Sequence, residues 1–363
     1  MNRNVLSRRA LVGVAIAALA LAGCGGGDDD NDGGTGTDPS AGAGTSDYAN
    51  LSGELKASGA SFPDAYYQEV ITEFKGVASK LTVNYNAVGS GQGKKDFGAN
   101  LNDFAGTDST VKDTDGVAAD SFLYVPTVAA PITVSYNLSG VDKLQLSPDT
   151  LAKIFQTEIK KWNDAAIVAD NPGVTLPDKN ITVAHRSDGS GTTNNFTKYL
   201  VAAAPDAWKL KSGDTVDWPA TTQGAEKNSG VAQLIKSADG GIGYVDFSDA
   251  KASGLSFAAI KNKDGQYVAA SLEGATAALN GAEIKDDLTY NPLNAAGATT
   301  YPITAPTYIL VRTKYTDAAK KDAVKGFVTY VLTEGQALAP EVDFAPLPDA
   351  LKTKALAQLD KIQ

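Results

Sequence analysis

Three times in this chain a short strand-like run feeds a loop of serine and glycine that opens onto helix-spaced apolar positions. The fullest instance spans Ile181 to Leu200. Ile181-Thr182-Val183-Ala184 is short and β-branched, the pattern of a buried strand. His185-Arg186-Ser187-Asp188-Gly189-Ser190-Gly191-Thr192-Thr193 follows, after which Phe196, Tyr199, Leu200 and Ala203 recur at helical spacing. A strand that runs through such a loop into a helix points to an α/β architecture. A helix start presents free backbone N–H groups and the positive end of the macrodipole. Gly189 and Gly191 let a ligand approach the backbone, Ser190 and Thr192 add hydroxyls, and Arg186 adds a permanently charged planar fork. That donor set suits an anion. A capped strand-to-helix turn with a surface arginine would read the same from this stretch alone, so the rest of the chain decides.

The other two instances lie upstream. Leu55-Lys56-Ala57 leads into Ser58-Gly59-Ala60-Ser61-Phe62-Pro63, then Tyr67, Val70, Ile71 and Phe74 at helical spacing, with Pro63 suited to the first turn. Leu81-Thr82-Val83-Asn84-Tyr85 alternates as a strand and feeds the loop Val88-Gly89-Ser90-Gly91-Gln92-Gly93-Lys94-Lys95, with a helix expected from there to Leu101. This loop is not a Walker A motif: Val88 stands where its first glycine belongs, and Lys95 where Ser or Thr must follow the lysine. Nor is it a dinucleotide fingerprint, because Lys94 occupies the third glycine position. Phe104-Ala105-Gly106-Thr107-Asp108 reads as a strand ending on a carboxylate. Shared chemistry makes convergence on one ligand the economical reading, since open α/β sheets bind at strand C-terminal ends.

Several function classes are excluded early. A formal net charge of −10 argues against nucleic acid and anionic membrane surfaces as partners, so local donors must capture any anion. Cys24 is the only cysteine and His185 the only histidine, which removes an intramolecular disulfide, cysteine-based zinc sites and most hydrolase triads. No Gly-x-Ser-x-Gly elbow is present.

The 363 residues suit two α/β domains behind a processed N-terminus. Arg3, Arg8 and Arg9 precede an apolar run, Ala10 to Leu21, too short to span a bilayer. Leu21-Ala22-Gly23-Cys24 resembles a bacterial lipobox, which implies cleavage before Cys24, its acylation (a palmitate-type anchor) and residues 1–24 as signal peptide. Residues 25–50 are rich in Gly, Asp, Thr and Ser and are expected to be a disordered tether. About 25 such residues span about 25–30 Å. No later apolar run is long enough to cross a membrane.

From about Leu51 onward the chain resembles the periplasmic phosphate-binding proteins of Pst-type ABC transporters. The motifs, in order, are Gly59-Ala60-Ser61-Phe62-Pro63, Gly89-Ser90, Asp103-Phe104-Ala105-Gly106-Thr107-Asp108 and Lys160-Lys161-Trp162-Asn163-Asp164. Then come Arg186-Ser187-Asp188-Gly189-Ser190-Gly191-Thr192, Gly241-Ile242-Gly243-Tyr244-Val245 and Phe344-Ala345-Pro346-Leu347-Pro348. The resemblance implies an α/β, two-lobe periplasmic binding protein of type II, a Venus-flytrap with its ligand cleft between lobes. Domain I would be residues 51–127 plus 305–363 and domain II residues 128–304, with crossovers at Pro126–Pro131 and Tyr301–Pro306. It implies that phosphate is held by Ser61, Phe62, Ser90, Asp108, Arg186, Ser190, Gly191 and Thr192, with Asp188 orienting the arginine. His185 departs from the basic residue usual there and receives no ligand role.

The implied protein is a monomeric lipoprotein on the extracytoplasmic face of the cell membrane, with no catalytic residue, cofactor or metal. It would deliver phosphate to ABC permease subunits and their ATPase. Asp108 is the most telling residue: near neutral pH phosphate keeps a proton to donate to it, whereas sulfate would set acceptor against acceptor. Val324, Phe327, Val328 and Val331 read as a helix packed on domain I, and Trp162 as part of a partly buried surface helix. The Ala-, Gly- and Asn-rich residues 269–298 receive no function.

Overall fold

The computed structural model describes residues 47–363, so the expected signal peptide, Cys24 and the tether up to residue 46 lie outside the described residues. The fold begins earlier than Leu51. Tyr48 is buried, its ring edge-on to Phe74 and Tyr330 and its hydroxyl donating to Glu334 at 3.2 Å. An aromatic ring offered a ready apolar slot leaves a polar segment for the core.

Eight strands carry the architecture: β1 Gly53–Gly59, β2 Leu81–Ala87, β3 Phe104–Thr107, β4 Phe122–Asn137, β5 Thr182–Arg186, β6 Gln223–Ala225, β7 Gly241–Asp246 and β8 Thr304–Arg312. They hydrogen-bond in the order β2-β1-β3-β8-β4-β7-β5-β6, and Ala345–Pro346 and Ser256–Phe257 add to β4. The central strand β4 explains the continuity. Phe122 to Pro131 pairs antiparallel with β8, and Ile132 to Asn137 pairs antiparallel with β7. Because β4 is covered on both faces, it is buried from Tyr124 to Tyr136. The expected crossovers are thus strand segments paired with each other, Ala130 opposite Ala305 and Ala129 opposite Pro306, with an irregularity between Pro306 and Tyr308. Proline donates no ladder hydrogen bond, so a break in register there is where it fits.

Parallel pairing of β1 with β2 and β3, and of β5 with β6 and β7, gives two half-sheets of βα units flanking β4 and β8. The helices that matter for the site are α1 Asp64–Val77, α2 Ser90–Gly98, α3 Gly191–Ala203 and α4 Lys227–Ser237. Their apolar stripes bury Tyr67, Val70 and Phe74 on α1 and Phe196, Tyr199 and Leu200 on α3. A fifth helix, α5 Ala318–Leu332, buries Val324, Phe327, Val328 and Val331, with Phe327 packed at 5.3 Å on Phe74.

Two local expectations are corrected. The glycine-rich run after β2 is not a loop: α2 starts at Ser90 and ends at Gly98 instead of reaching Leu101. Gly89 turns the chain with φ +90°, and packing overrides the weak helix propensity that follows. Trp162 lies outside any helix and is fully buried, its indole N–H donating to the Gly240 carbonyl at 3.1 Å. Among the described residues no helix is long and apolar enough to cross a membrane.

Candidate functional site

The loop after β1, the first turn of α2 and the end of β3 meet the end of β5 and the first turns of α3 and α4. Arg186 closes β5 and is buried. Its Nε donates to Asp188 Oδ1 at 2.6 Å, Nη2 pairs with Asp188 Oδ2, and Nη1 donates to Asn228 Oδ1 at 3.2 Å. A guanidinium carries five N–H groups. Three are committed, so five minus three leaves two on the terminal nitrogens. The Arg186 backbone N–H donates to Tyr244 Oη at 3.0 Å, and Tyr244 is hydrogen-bonded to Thr193 at 2.6 Å, which fixes the strand end against α3. Arg186 is thus an oriented fork.

Three hydroxyls around it are also preset. Ser61 Oγ accepts from the Asn228 N–H at 3.3 Å, Thr192 Oγ1 from Asn228 Nδ2 at 3.2 Å, and Ser190 Oγ from the Thr193 N–H at 3.1 Å. An oxygen that accepts an N–H keeps its own hydrogen free to donate. Ser190 is the N-cap of α3. Its backbone N–H is spent on the Asp214 carbonyl at 2.8 Å, so the α3 backbone donors left over are those of Gly191 and Thr192. The backbone N–H groups of Ser61, Phe62 and Ser90 likewise find no acceptor among the described residues. A Cβ on Gly191 would lie 2.6 Å from both Asp108 Cβ and Ser90 Oγ, so this crossing tolerates only glycine.

Asp108 follows β3 and is 2% exposed. Thr307 Oγ1 donates to its Oδ1 at 2.7 Å, and Ser90 Oγ lies 3.4 Å from Oδ2 while accepting the Asp108 N–H at 3.2 Å. Burial pushes this carboxyl up from 3.8 to about 7; Thr307, Arg186 and Ser90 pull it down, and Asp214 pushes it up further. Asp108 is therefore an acid that changes charge at neutral pH among groups that otherwise donate.

The two sides touch directly. The Gly91 N–H donates to the Gly189 carbonyl at 2.9 Å, Asn195 Nδ2 to the Asp108 carbonyl at 2.6 Å, and Lys94 Nζ pairs with Asp214 at 2.8 Å. The structure thus brings Ser61, Phe62, Ser90, Asp108, Arg186, Ser190, Gly191 and Thr192 around one enclosed locus, with Asp188 behind the arginine. His185 points elsewhere: its Nδ1 meets the Arg186 carbonyl at 2.9 Å, its ring stacks on Trp218, and burial lowers its pKa. Sequence reasoning missed Asn228, Thr307 and Asn195, which carried no local motif. Lys94 and Asp214 were also missed, although a lysine inside a glycine-serine run was a usable signal. Among the described residues no group of three or more His, Cys, Asp or Glu is arranged to hold a metal ion. What the locus can do is hold a compact oxyanion by donors on nearly every side and meet one proton with one acid.

Comparison with known proteins gives concordant results. A model described as a PBP superfamily domain matches residues 38–334. The phosphate-binding protein PstS of Xylella fastidiosa is 35% identical over 304 residues, covering 82% of each chain. The phosphate-binding protein PstS of Haemophilus influenzae is 36% identical over 312 residues, covering 84% of this chain and 92% of its own. A high-affinity periplasmic phosphate-binding protein solved with bound phosphate superposes with a TM-score of 0.70 at 24% identity, over 84% of this chain and 93% of its own, a likeness of fold.

Proposed function

The chain belongs to the PstS phosphate-binding proteins of the PBP superfamily, and from that membership we propose that its enclosed locus traps one inorganic phosphate for import. Binding is its function; no bond is made or broken. The two spare Arg186 N–H groups take two phosphate oxygens. The hydroxyls of Ser61, Ser190 and Thr192 and the backbone N–H groups of Ser61, Phe62, Ser90, Gly191 and Thr192 take the others, while the Ser90 hydroxyl stays on Asp108. Asp108 meets a proton that phosphate still carries near neutral pH. The observation that carries the reading is this one buried acid in a shell of donors. A shell for a fully deprotonated oxyanion would place a donor there.

Residues 51–127 with 305–363 and residues 128–304 are the two lobes in this reading, joined through β4 and β8. Phosphate favours the closed arrangement because it touches both. The protein works outside the cytoplasm as a monomer, held by an acylated Cys24, and passes phosphate to an ABC permease and its ATPase. Replacing Cys24 with Ser should release it from membranes; continued acyl labelling of that variant would refute the anchor.

Calorimetric titration of ligand-stripped residues 25–363 at a pH well above 7, where Asp108 is charged, tests the site. One-to-one phosphate binding without sulfate heat is expected. Sulfate binding in place of phosphate would overturn the ligand assignment.

A further inference from the structure

Lys94 lies on α2, one turn beyond the proposed ligand Ser90, and is completely buried. Its Nζ is 3.0 Å from Asp115 Oδ2, 3.1 Å from Ser109 Oγ and 3.3 Å from the Thr110 carbonyl, all on the β1–β3 side. Its fourth contact, Asp214 Oδ2 at 2.8 Å, comes from the β5 side. Asp214 mirrors this. Its side chain accepts from Asn194 Nδ2 at 2.7 Å on its own side, and from Lys94 and from Ser109 Oγ at 3.1 Å across the seam. Its backbone carbonyl accepts the Ser190 N–H at 2.8 Å. One residue therefore joins the cap of α3 to the interior of α2.

A buried ammonium is tolerable only when paired. If the seam opened, Lys94 would keep Asp115, Ser109 and the Thr110 carbonyl, and Asp214 would lose the one ion pair it makes among the described residues. The Lys94–Asp214 contact thus exists only while both sides meet, which is the condition for a contact to shift a two-state equilibrium.

From this geometry we infer that Lys94 and Asp214 are positioning residues that hold the first turns of α2 and α3 together in the closed state and slow release of the anion. The inference rests on the phosphate reading above. The pair touches no ligand; it acts through Ser90 and Ser190, the residues its two ends support.

Stopped-flow phosphate binding of the wild type, Lys94→Met, Asp214→Asn and the double variant tests this, with thermal midpoints measured without and with phosphate. Each single variant should release phosphate roughly 10- to 100-fold faster, with a much smaller change in association rate. The double variant should be little worse than the worse single one, because both remove the same contact. For Asp214→Asn the midpoint should fall mainly in the phosphate-loaded protein, whereas Lys94→Met also loses its contacts to Asp115, Ser109 and Thr110 and should lower both midpoints. Asp214 has a 13% exposed side chain, so Asp214→Asn keeps the test alive should Lys94→Met fail to fold. Unchanged release rates, or an equal fall of both midpoints in Asp214→Asn, would overturn the inference and leave phosphate binding standing. Absence of phosphate binding by the wild type would sink the ligand reading itself.

Discussion

Two carboxylates of one site, Asp188 and Asp108, sit in opposite circumstances. Asp188 faces a cation: both its oxygens meet Arg186, and Oδ1 also accepts the Lys227 N–H at 3.3 Å. Asp108 faces hydroxyls: Thr307 at 2.7 Å, Ser90 at 3.4 Å, and a cover that leaves it 2% exposed. The first carboxylate spends its charge aiming a guanidinium. The second is pushed by burial to about 7 and so carries a proton or a charge according to pH. On the proposed phosphate reading, orientation and discrimination fall to different poles. The arginine pole would attract any small dianion, and the Asp108 pole would ask whether that anion has a proton to share.

Breaking the arginine pole should have the largest effect. Arg186→Met removes the fork and strands Asp188 beside it without its cation. Truncating one partner of a buried charge pair costs about 2–5 kcal/mol, so phosphate affinity should fall roughly 30- to several-thousand-fold. Measured below about pH 7, where sulfate can bind, both anions should suffer alike, because the arginine meets oxygens and not the proton. A variant that lost phosphate affinity but gained sulfate would show that the arginine, not Asp108, discriminates.

Breaking the other pole should cost less and change specificity. Asp108→Asn replaces an acceptor by a group that can donate. Phosphate affinity should fall about 10- to 100-fold, the worth of one charge-assisted hydrogen bond, and sulfate should begin to bind. Calorimetry with both anions reads this; unchanged rejection of sulfate would move the filter elsewhere.

The same pole makes a pH prediction in the wild type. Above about 7 Asp108 is a carboxylate and repels sulfate; below it the acid can donate to sulfate. Sulfate affinity should therefore rise as pH falls through about 7, up to tenfold per unit, and be flat for Asp108→Asn. Stability shows the opposite face of this linkage. The folded state keeps a proton that the unfolded chain releases above 3.8, so ligand-free protein loses stability as pH rises from about 4 to about 7. Three pKa units at about 1.4 kcal/mol each give an upper figure of about 4 kcal/mol. Burial also raises Asp246 and Asp249, which act in the same direction. The contribution of Asp108 is therefore the difference between the wild-type and Asp108→Asn slopes in pH-dependent denaturation.

The arginine pole was almost wholly legible in the sequence, and the Asp108 pole only in part. Arg186, Asp188, Ser190 and Thr192 lie within seven residues on one strand-to-helix turn, so local pattern and geometry coincide. Asp108 could be seen ending a strand, but what sets its titration is Thr307, 199 positions away on β8, and burial by the sheet. Asn228 has the same character. It sits fully buried in the first turn of α4 and bonds Ser61, Thr192 and Arg186, and no local motif marks it. Trp162 was misplaced for a related reason: flanking lysines describe a surface, but its indole is drawn under the Gly240 carbonyl by contacts 78 residues distant. Local signals report which groups stand at a strand end; they do not report what the sheet lays over them.

Thr307 gives the finest test of the contrast. Its hydroxyl donates to Asp108 at 2.7 Å and favours the charged form; it is fully buried, so no water replaces it. Thr307→Val keeps the shape and removes that donor. Asp108 should then hold its proton to higher pH, and the onset of sulfate binding should move upward with it. Phosphate affinity at neutral pH should change only severalfold, because the shared proton can come from either partner. Titrating sulfate binding against pH in the wild type and the variant reads the shift. An onset at the same pH in both would mean that the hydroxyl contributes packing without tuning the proton.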